Sequence, residues 1–112
     1  MTRAEQLEYI EQTRHKVLSW AKSREIPLHR VEYVVPFVDT DFGLSAWLFF
    51  ETDDQLRQQR KIRRLATIKT MFKGILQSLG YAPEWIREIR FVFDSHENVE
   101  RNFEGSYFYR LR

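Results

Sequence analysis

Residues 44–50 read Leu-Ser-Ala-Trp-Leu-Phe-Phe, a run in which six of seven side chains are apolar. Apolar residues at both odd and even positions predict a strand covered on both faces, at the centre of a sheet. The preceding residues 30–38 alternate in strand fashion, and residues 39–43 (Asp-Thr-Asp-Phe-Gly) have the composition of a turn. The two strands are therefore predicted to form a hairpin, with Pro36 placing the first strand at a sheet edge or a bulge.

Helices are predicted on either side of this hairpin along the chain. Residues 3–23 repeat apolar side chains at the helical period. Thr52 and Gln55 have the spacing of a capping box, which predicts the start of a second helix that ends at Leu79, before Gly80. The predicted core stripe of that helix comprises Leu65, Ile68, Phe72, Ile75, Leu76 and Leu79.

The C-terminal part of the chain is predicted to add two strands. In residues 89–93 the large apolar side chains Ile89, Phe91 and Phe93 alternate with Arg90 and Val92, which predicts a third strand. Asp94 and Glu97 are spaced like a cap and its reciprocal acid, which predicts a short helical turn. Residues 106–112 alternate again, as a terminal strand does. The order α-β-β-α-β-β predicts an α+β fold, with a four-stranded antiparallel sheet and two helices packed on one face.

Length and composition limit the class of protein. With 112 residues, 43% hydrophobic and 15% aromatic, residues 1–112 are expected to form a single compact domain. No apolar run approaches the roughly 20 residues of a membrane-spanning helix, and the first 30 residues lack the apolar segment of a secretory signal. The absence of cysteine excludes disulfides and thiolate metal sites. A cytoplasmic location is the expectation.

Charge is distributed unevenly, although the net charge is only +2. Residues 1–56 hold 6 basic and 10 acidic side chains, whereas residues 57–112 hold 12 basic and 6 acidic ones. Within residues 57–73 no acid occurs, and the basic side chains are Arg57, Arg60, Lys61, Arg63, Arg64, Lys69 and Lys73. This run is either a solvated helix face or a basic helix start that recognises an acidic partner. Lys61 falls on the backward projection of the core stripe, so the helix either begins near it or projects beyond the sheet.

Residues that could carry catalysis are sparse. His15, His29 and His96 are far apart in sequence. His96 lies near Asp94 and Glu97, a grouping that suits either a general base or a capped turn, and we favour the cap. Phosphate-binding glycine loops and nucleophile motifs do not occur. The sequence therefore predicts no catalytic residue, no metal ligand and no cofactor.

Two segments near the C-terminus carry a resemblance to known proteins. Residues 93–99 (Phe-Asp-Ser-His-Glu-Asn-Val) and residues 102–110 (Asn-Phe-Glu-Gly-Ser-Tyr-Phe-Tyr-Arg) resemble the C-terminal end of small bacterial immunity proteins of contact-dependent and other polymorphic toxin systems. The resemblance implies a protein that binds a toxin domain and blocks it. Immunity proteins against nucleases are often acidic because they cover a basic cleft, whereas this chain is mildly basic.

Two functions are weighed on these grounds. The first is a non-catalytic protein-binding domain that occludes a toxin, active as a monomer or weak dimer. Its candidate contacts are Asp39, Asp41, Asp53 and Asp54 for a basic target, or Arg57, Arg60, Lys61 and Arg64 for an acidic one. The alternative is a nucleic-acid-binding module that combines the basic helix start with the aromatic C-terminal strand. Its candidate residues are Arg60, Arg63, Arg64, Tyr107, Tyr109 and Arg110.

Overall fold

A computed structural model describes every residue from Met1 to Arg112. In chain order the elements are α1 (Arg3–Ser23), β1 (Leu28–Val34), β2 (Ser45–Phe50), α2 (Asp53–Lys61), α3 (Arg64–Leu79), α4 (Pro83–Ile86), β3 (Arg90–Ser95), α5 (His96–Asn102) and α6 (Tyr107–Arg110). The strands form one sheet in the order β1-β2-β3. β1 is antiparallel to β2, and β3 is parallel to it. None of the helices is both long and apolar enough to cross a membrane.

The central strand β2 is buried on both faces, as its composition predicts. Alternate side chains of β2 belong to two separate clusters. Those facing α1 and α3 are Ala46, Leu48 and Phe50, and they pack with Val17, Ile68, Phe72 and Leu76. Those facing α5 and α6 are Trp47 and Phe49, and they pack with Val99, Phe103, Tyr107 and Leu111. The molecule is thus an α+β domain of three layers, with helices on both faces of the sheet.

The predicted four-stranded antiparallel sheet with two helices on one face is wrong. The chain between Phe50 and Arg90 passes through α2, α3 and α4, and it returns to the end of the sheet at which β2 begins. A helical crossover of this kind joins parallel strands, so β3 runs in the same direction as β2. The sheet is therefore mixed, and it has three strands.

The predicted terminal strand over residues 106–112 is also wrong, because Tyr107–Arg110 form helix α6. Tyr107 and Leu111 are four residues apart, a separation that places two side chains on the same side of a strand and of a helix alike. Tyr109 distinguishes a strand from a helix, because only a strand would bury Tyr109 on the same side as Tyr107 and Leu111. The side chain of Tyr109 is 52% exposed. Ser106 caps the helix by accepting from the Tyr109 N–H at 3.2 Å.

The predicted single helix from Thr52 to Leu79 is two helices. The Thr52 capping box is confirmed, and α3 ends at Gly80, whose φ of 106° suits glycine. Between α2 and α3, Arg63 adopts a left-handed conformation with φ 61°, which turns the chain. Lys61 consequently lies on a different helix from the core stripe and is exposed. α5 is capped by Ser95, not by Asp94.

Candidate functional site

Large apolar side chains reach the surface mainly at the end of the sheet where β2 begins. Phe37 is 102% exposed, as open to water as in an extended chain, and Val34 and Val38 beside it are also exposed. Phe108 and Tyr109 of α6 are exposed as well. Single exposed apolar residues are normal on a protein surface, but a cluster of them marks an interaction surface.

The loop that carries Phe37, residues 35–44 (the β1–β2 loop), is held by side chains of α1. The Arg3 guanidinium donates hydrogen bonds to the Pro36 carbonyl and, at 2.7 Å, to the Val38 carbonyl. These two acceptors flank Phe37 on either side. The Gln6 amide, which is fully buried, donates to the Gly43 carbonyl at 3.2 Å. The loop is thereby fixed at both ends.

Tyr81 completes this attachment from the segment after α3. Its hydroxyl donates to the Phe42 carbonyl at 2.7 Å and accepts from the Gln6 amide at 2.8 Å. The side chain is 1% exposed, and burial raises the pKa of Tyr81, so the hydroxyl stays protonated and remains a donor. The Phe42 ring also packs edge-on against Trp85, with ring centroids 6.0 Å apart. The β1–β2 loop therefore presents Phe37 from a pre-organised backbone.

The four candidate acidic residues do not share one surface. Asp39 and Asp41 lie in the β1–β2 loop, where Asp39 is exposed and the Asp41 carboxylate accepts from the Gly43 N–H at 2.9 Å. Asp53 and Asp54 follow β2 at its other end, at the start of α2. The length of β2 thus separates the two pairs.

Asp53 joins α2 to α5. Its carboxylate accepts hydrogen bonds from the Ser95 hydroxyl and, at 2.9 Å, from the Arg101 guanidinium. Its N–H donates to the Glu97 carboxylate at 2.6 Å. Asp54, in contrast, is exposed and pairs only with Arg57. Asp53 therefore has a structural role at this end of the sheet.

The pH dependence of stability should report this role. Hydrogen bonds from Ser95 and then Arg101 hold the pKa of Asp53 below its ordinary value. Because the folded-state pKa is lower than the unfolded one, the ionised carboxylate stabilises the protein above about pH 4, and that stabilisation is lost as the pH falls through the folded pKa. We expect Asp53→Asn to have a lower melting temperature than the wild type at neutral pH. The difference between the two melting temperatures should become smaller in acid. Thermal denaturation of both proteins across the acidic pH range measures this difference. A melting-temperature difference that did not change with pH would contradict the contribution of the ionised Asp53 carboxylate.

The basic candidates lie around the bend between α2 and α3. Arg57, Arg60 and Lys61 are exposed on α2, and Arg63 is exposed at the bend itself. Arg64 begins α3 and is half-buried. These side chains form an open, solvated surface beside the core on the α1 and α3 side of the sheet.

The C-terminal candidates lie on the opposite face, on α6. The Arg30 guanidinium covers the Tyr107 ring at 3.9 Å, and Phe49 meets that ring edge-on at 4.8 Å. Arg110 is bound to Asp94 at 2.6 Å. Of the three C-terminal candidates only Tyr109 is largely exposed. The structure therefore does not bring the basic helix start and the C-terminal aromatics together.

His96 is held between Tyr107 and Glu100, and not by the neighbouring Asp94 and Glu97 that the sequence suggested. Its Nδ1 lies 2.7 Å from the Tyr107 hydroxyl, and its Nε2 lies 2.8 Å from the Glu100 carboxylate. The His29 ring is 5.0 Å away. Burial raises the pKa of Tyr107, so its hydroxyl is a neutral phenol at physiological pH rather than an activated nucleophile. This chain of hydrogen bonds fixes α6 against α5.

Sequence reasoning missed Phe37 as a surface residue, because alternation placed it in the first strand. The local signal was Pro36, which lacks an N–H for the sheet, and β1 in fact ends at Val34. Comparisons with protein-family models, curated proteins and solved structures give no match. The function is therefore argued from the geometry of the chain itself.

Proposed function

We propose that this protein is a non-catalytic protein-binding domain of the immunity or antitoxin kind, which neutralises a bacterial toxin by occluding it. The supporting observation is the β1–β2 loop, which is fixed by buried side chains and yet holds Phe37 entirely in water. An aromatic side chain on a fixed loop suits the core of a protein–protein interface, where aromatic residues are enriched. It loses little conformational entropy when it enters an apolar pocket on a partner.

Charge around Phe37 favours a basic partner. The charged residues of the β1–β2 loop are Asp39 and Asp41, both acidic. Although the whole chain has a net charge of +2, these two aspartates outweigh the single Arg3 guanidinium bound to the loop, which leaves the loop locally negative. A toxin domain that acts on nucleic acid has a basic cleft, and an acidic loop with an apolar centre is complementary to such a cleft. The expected mechanism is blockade of the cleft by shape and charge.

The nucleic-acid-binding alternative has weaker support. Stacking on bases needs free aromatic faces, and the Tyr107 ring is already covered by Arg30. The sheet separates α6, which packs with Trp47 and Phe49, from α3, which packs with Leu48 and Phe50 on the other face and begins at the basic bend. The alternative remains testable through the basic bend alone.

The test compares a charge reversal in the β1–β2 loop with one at the other end of β2. The N-terminally tagged protein is used to isolate its partner from the native cells with nuclease present. Co-expression must then abolish the toxicity of that partner, and the affinity of the purified complex is measured. We expect Asp39→Lys to weaken the complex about tenfold or more, because it reverses a charge facing a basic cleft. The matched reversal Glu51→Lys, at the other end of β2, should change the affinity little.

A second variant addresses the alternative. The triple change Arg60→Glu, Arg63→Glu and Arg64→Glu should leave the protein complex nearly intact. If the triple change instead abolishes a salt-sensitive association that nuclease removes, the protein binds nucleic acid and the proposal is wrong.

A further inference from the structure

A cleft of about 260 Å³ opens where β2 and β3 begin and the C-terminal residues cross the sheet end. Three arginines line it, Arg90, Arg110 and Arg112. The remaining lining consists of Ser45, Trp47 and two apolar residues, Val34 and Leu111. The polar side chains of the cleft are therefore hydrogen-bond donors, and no carboxylate side chain lines it.

Two of the three guanidinium groups pair with no carboxylate, and that of Arg112 lies over the Phe108 ring, 4.2 Å from its centroid. Arg110 donates from Nε to the Asp94 carboxylate at 2.6 Å. Neither Arg90 nor Arg112 takes part in any of the six ion pairs of the structure. The side chains of the cleft thus carry a surplus of two positive charges.

Trp47 supplies an independent indication of a ligand. Its side chain is 6% exposed, and its indole N–H has no hydrogen-bond acceptor. A buried donor without a partner is uncommon in folded proteins. The Arg110 guanidinium lies 4.8 Å from the Trp47 ring and 5.1 Å from the Phe103 ring, so it is held in place while its terminal nitrogens stay free of other hydrogen bonds.

We propose that this cleft binds a phosphate monoester. A phosphate dianion matches the two surplus charges, and its oxygens accept paired hydrogen bonds from guanidinium groups. The Ser45 hydroxyl is a further donor, and the unpartnered Trp47 N–H is buried in the residue that forms part of the cleft wall. Val34 and Leu111 provide apolar contact for the body of the ester. The site needs no partner protein, and it is thus independent of the function proposed for the β1–β2 loop.

The test uses phenyl phosphate as the probe and benzoate, a monoanion with the same ring, as the control. Both are titrated at neutral pH and constant ionic strength into N-terminally tagged protein, so that residues 110–112 stay unmodified. Calorimetry gives the affinity, and tryptophan fluorescence reports on Trp47. We expect one phenyl phosphate per chain, bound at least ~10-fold more tightly than benzoate because of its second charge.

Variants locate the binding. Arg90→Gln and Arg112→Gln should each weaken phenyl phosphate binding ~5-fold or more. Arg87→Gln, which changes another exposed arginine outside the cleft, should not. Arg90 and Arg112 are exposed, so their variants should have melting temperatures near that of the wild type. Equal affinity for the two probes, unchanged binding in both cleft variants, or no binding at millimolar phenyl phosphate would each overturn the proposal.

Discussion

Replacing Phe72 by alanine is expected to lower the free energy of unfolding by about 3–5 kcal/mol, the largest stability effect of any single change considered. Phe72 lies in the middle of α3 and is 0% exposed. Its ring meets Phe91 of β3 edge-on at 5.4 Å, so it joins α3 to the parallel strand. Truncation removes this aromatic pair and leaves a cavity that the surrounding helices cannot fully close.

Chemical denaturation of the purified protein measures this loss. Phe108→Ala removes the same atoms from a side chain that is 65% exposed, and it should change the stability by no more than about 0.5 kcal/mol. If Phe72→Ala does not fold, Phe72→Leu keeps most of the volume and should cost less than about 1.5–2 kcal/mol. Equal losses for Phe72→Ala and Phe108→Ala would contradict the burial of Phe72.

Phe37→Ala is expected to weaken the complex with the proposed toxin partner by about 2–4 kcal/mol, or roughly 30- to 1,000-fold in affinity. The reason is that Phe37 is the central anchor of the proposed interface. The stability of the free protein should hardly change, because the Phe37 side chain makes no buried contact to lose. Affinity measured on the purified complex, beside thermal melting of the free variant, separates the two effects.

Ile62→Ala is the matched control for Phe37→Ala. Ile62 is a comparably apolar residue, 47% exposed, at the bend between α2 and α3. Its truncation should leave the affinity within about twofold, since it lies outside the expected contact. If Ile62→Ala and Phe37→Ala weakened the complex equally, the interface would not be centred on the β1–β2 loop.

Local features of the sequence predicted local structure well. The bounds of α1, the burial of β2 on both faces and the Thr52 capping box all follow from side chains within a few residues of one another. Pairing of β1 with β2 followed from the same kind of evidence, because the two strands are consecutive. Each of these depends on periodicity or on a cap, and the structure confirms them.

Long-range features were not predictable in this way. The direction of β3 depends on where the crossover returns the chain, and its alternating side chains are the same in a parallel or an antiparallel strand. The prediction of a strand over residues 106–112 was wrong because the spacing of Tyr107 and Leu111 fits the period of a strand and that of a helix equally well.

The functional surfaces show the same limit. Phe37 depends on Arg3 and Tyr81 for its position, and the arginine-lined cleft combines Arg90 with Arg110 and Arg112. No local pattern connects residues so far apart. The sequence drew attention to basic and acidic side chains by type, and only the fold determines which of them lie together.

The parallel pairing of β2 with β3 also sets an order for the folding reaction. β1 can dock on β2 as soon as the short loop of residues 35–44 closes, whereas β3 must wait for residues 51–89 to be synthesised and arranged. Until then one edge of the most apolar strand in the chain has no neighbour. An unpaired apolar edge is the surface through which nascent chains aggregate. The pairing of β3 with β2, which completes the sheet, therefore also prevents nascent copies of this chain from aggregating through β2.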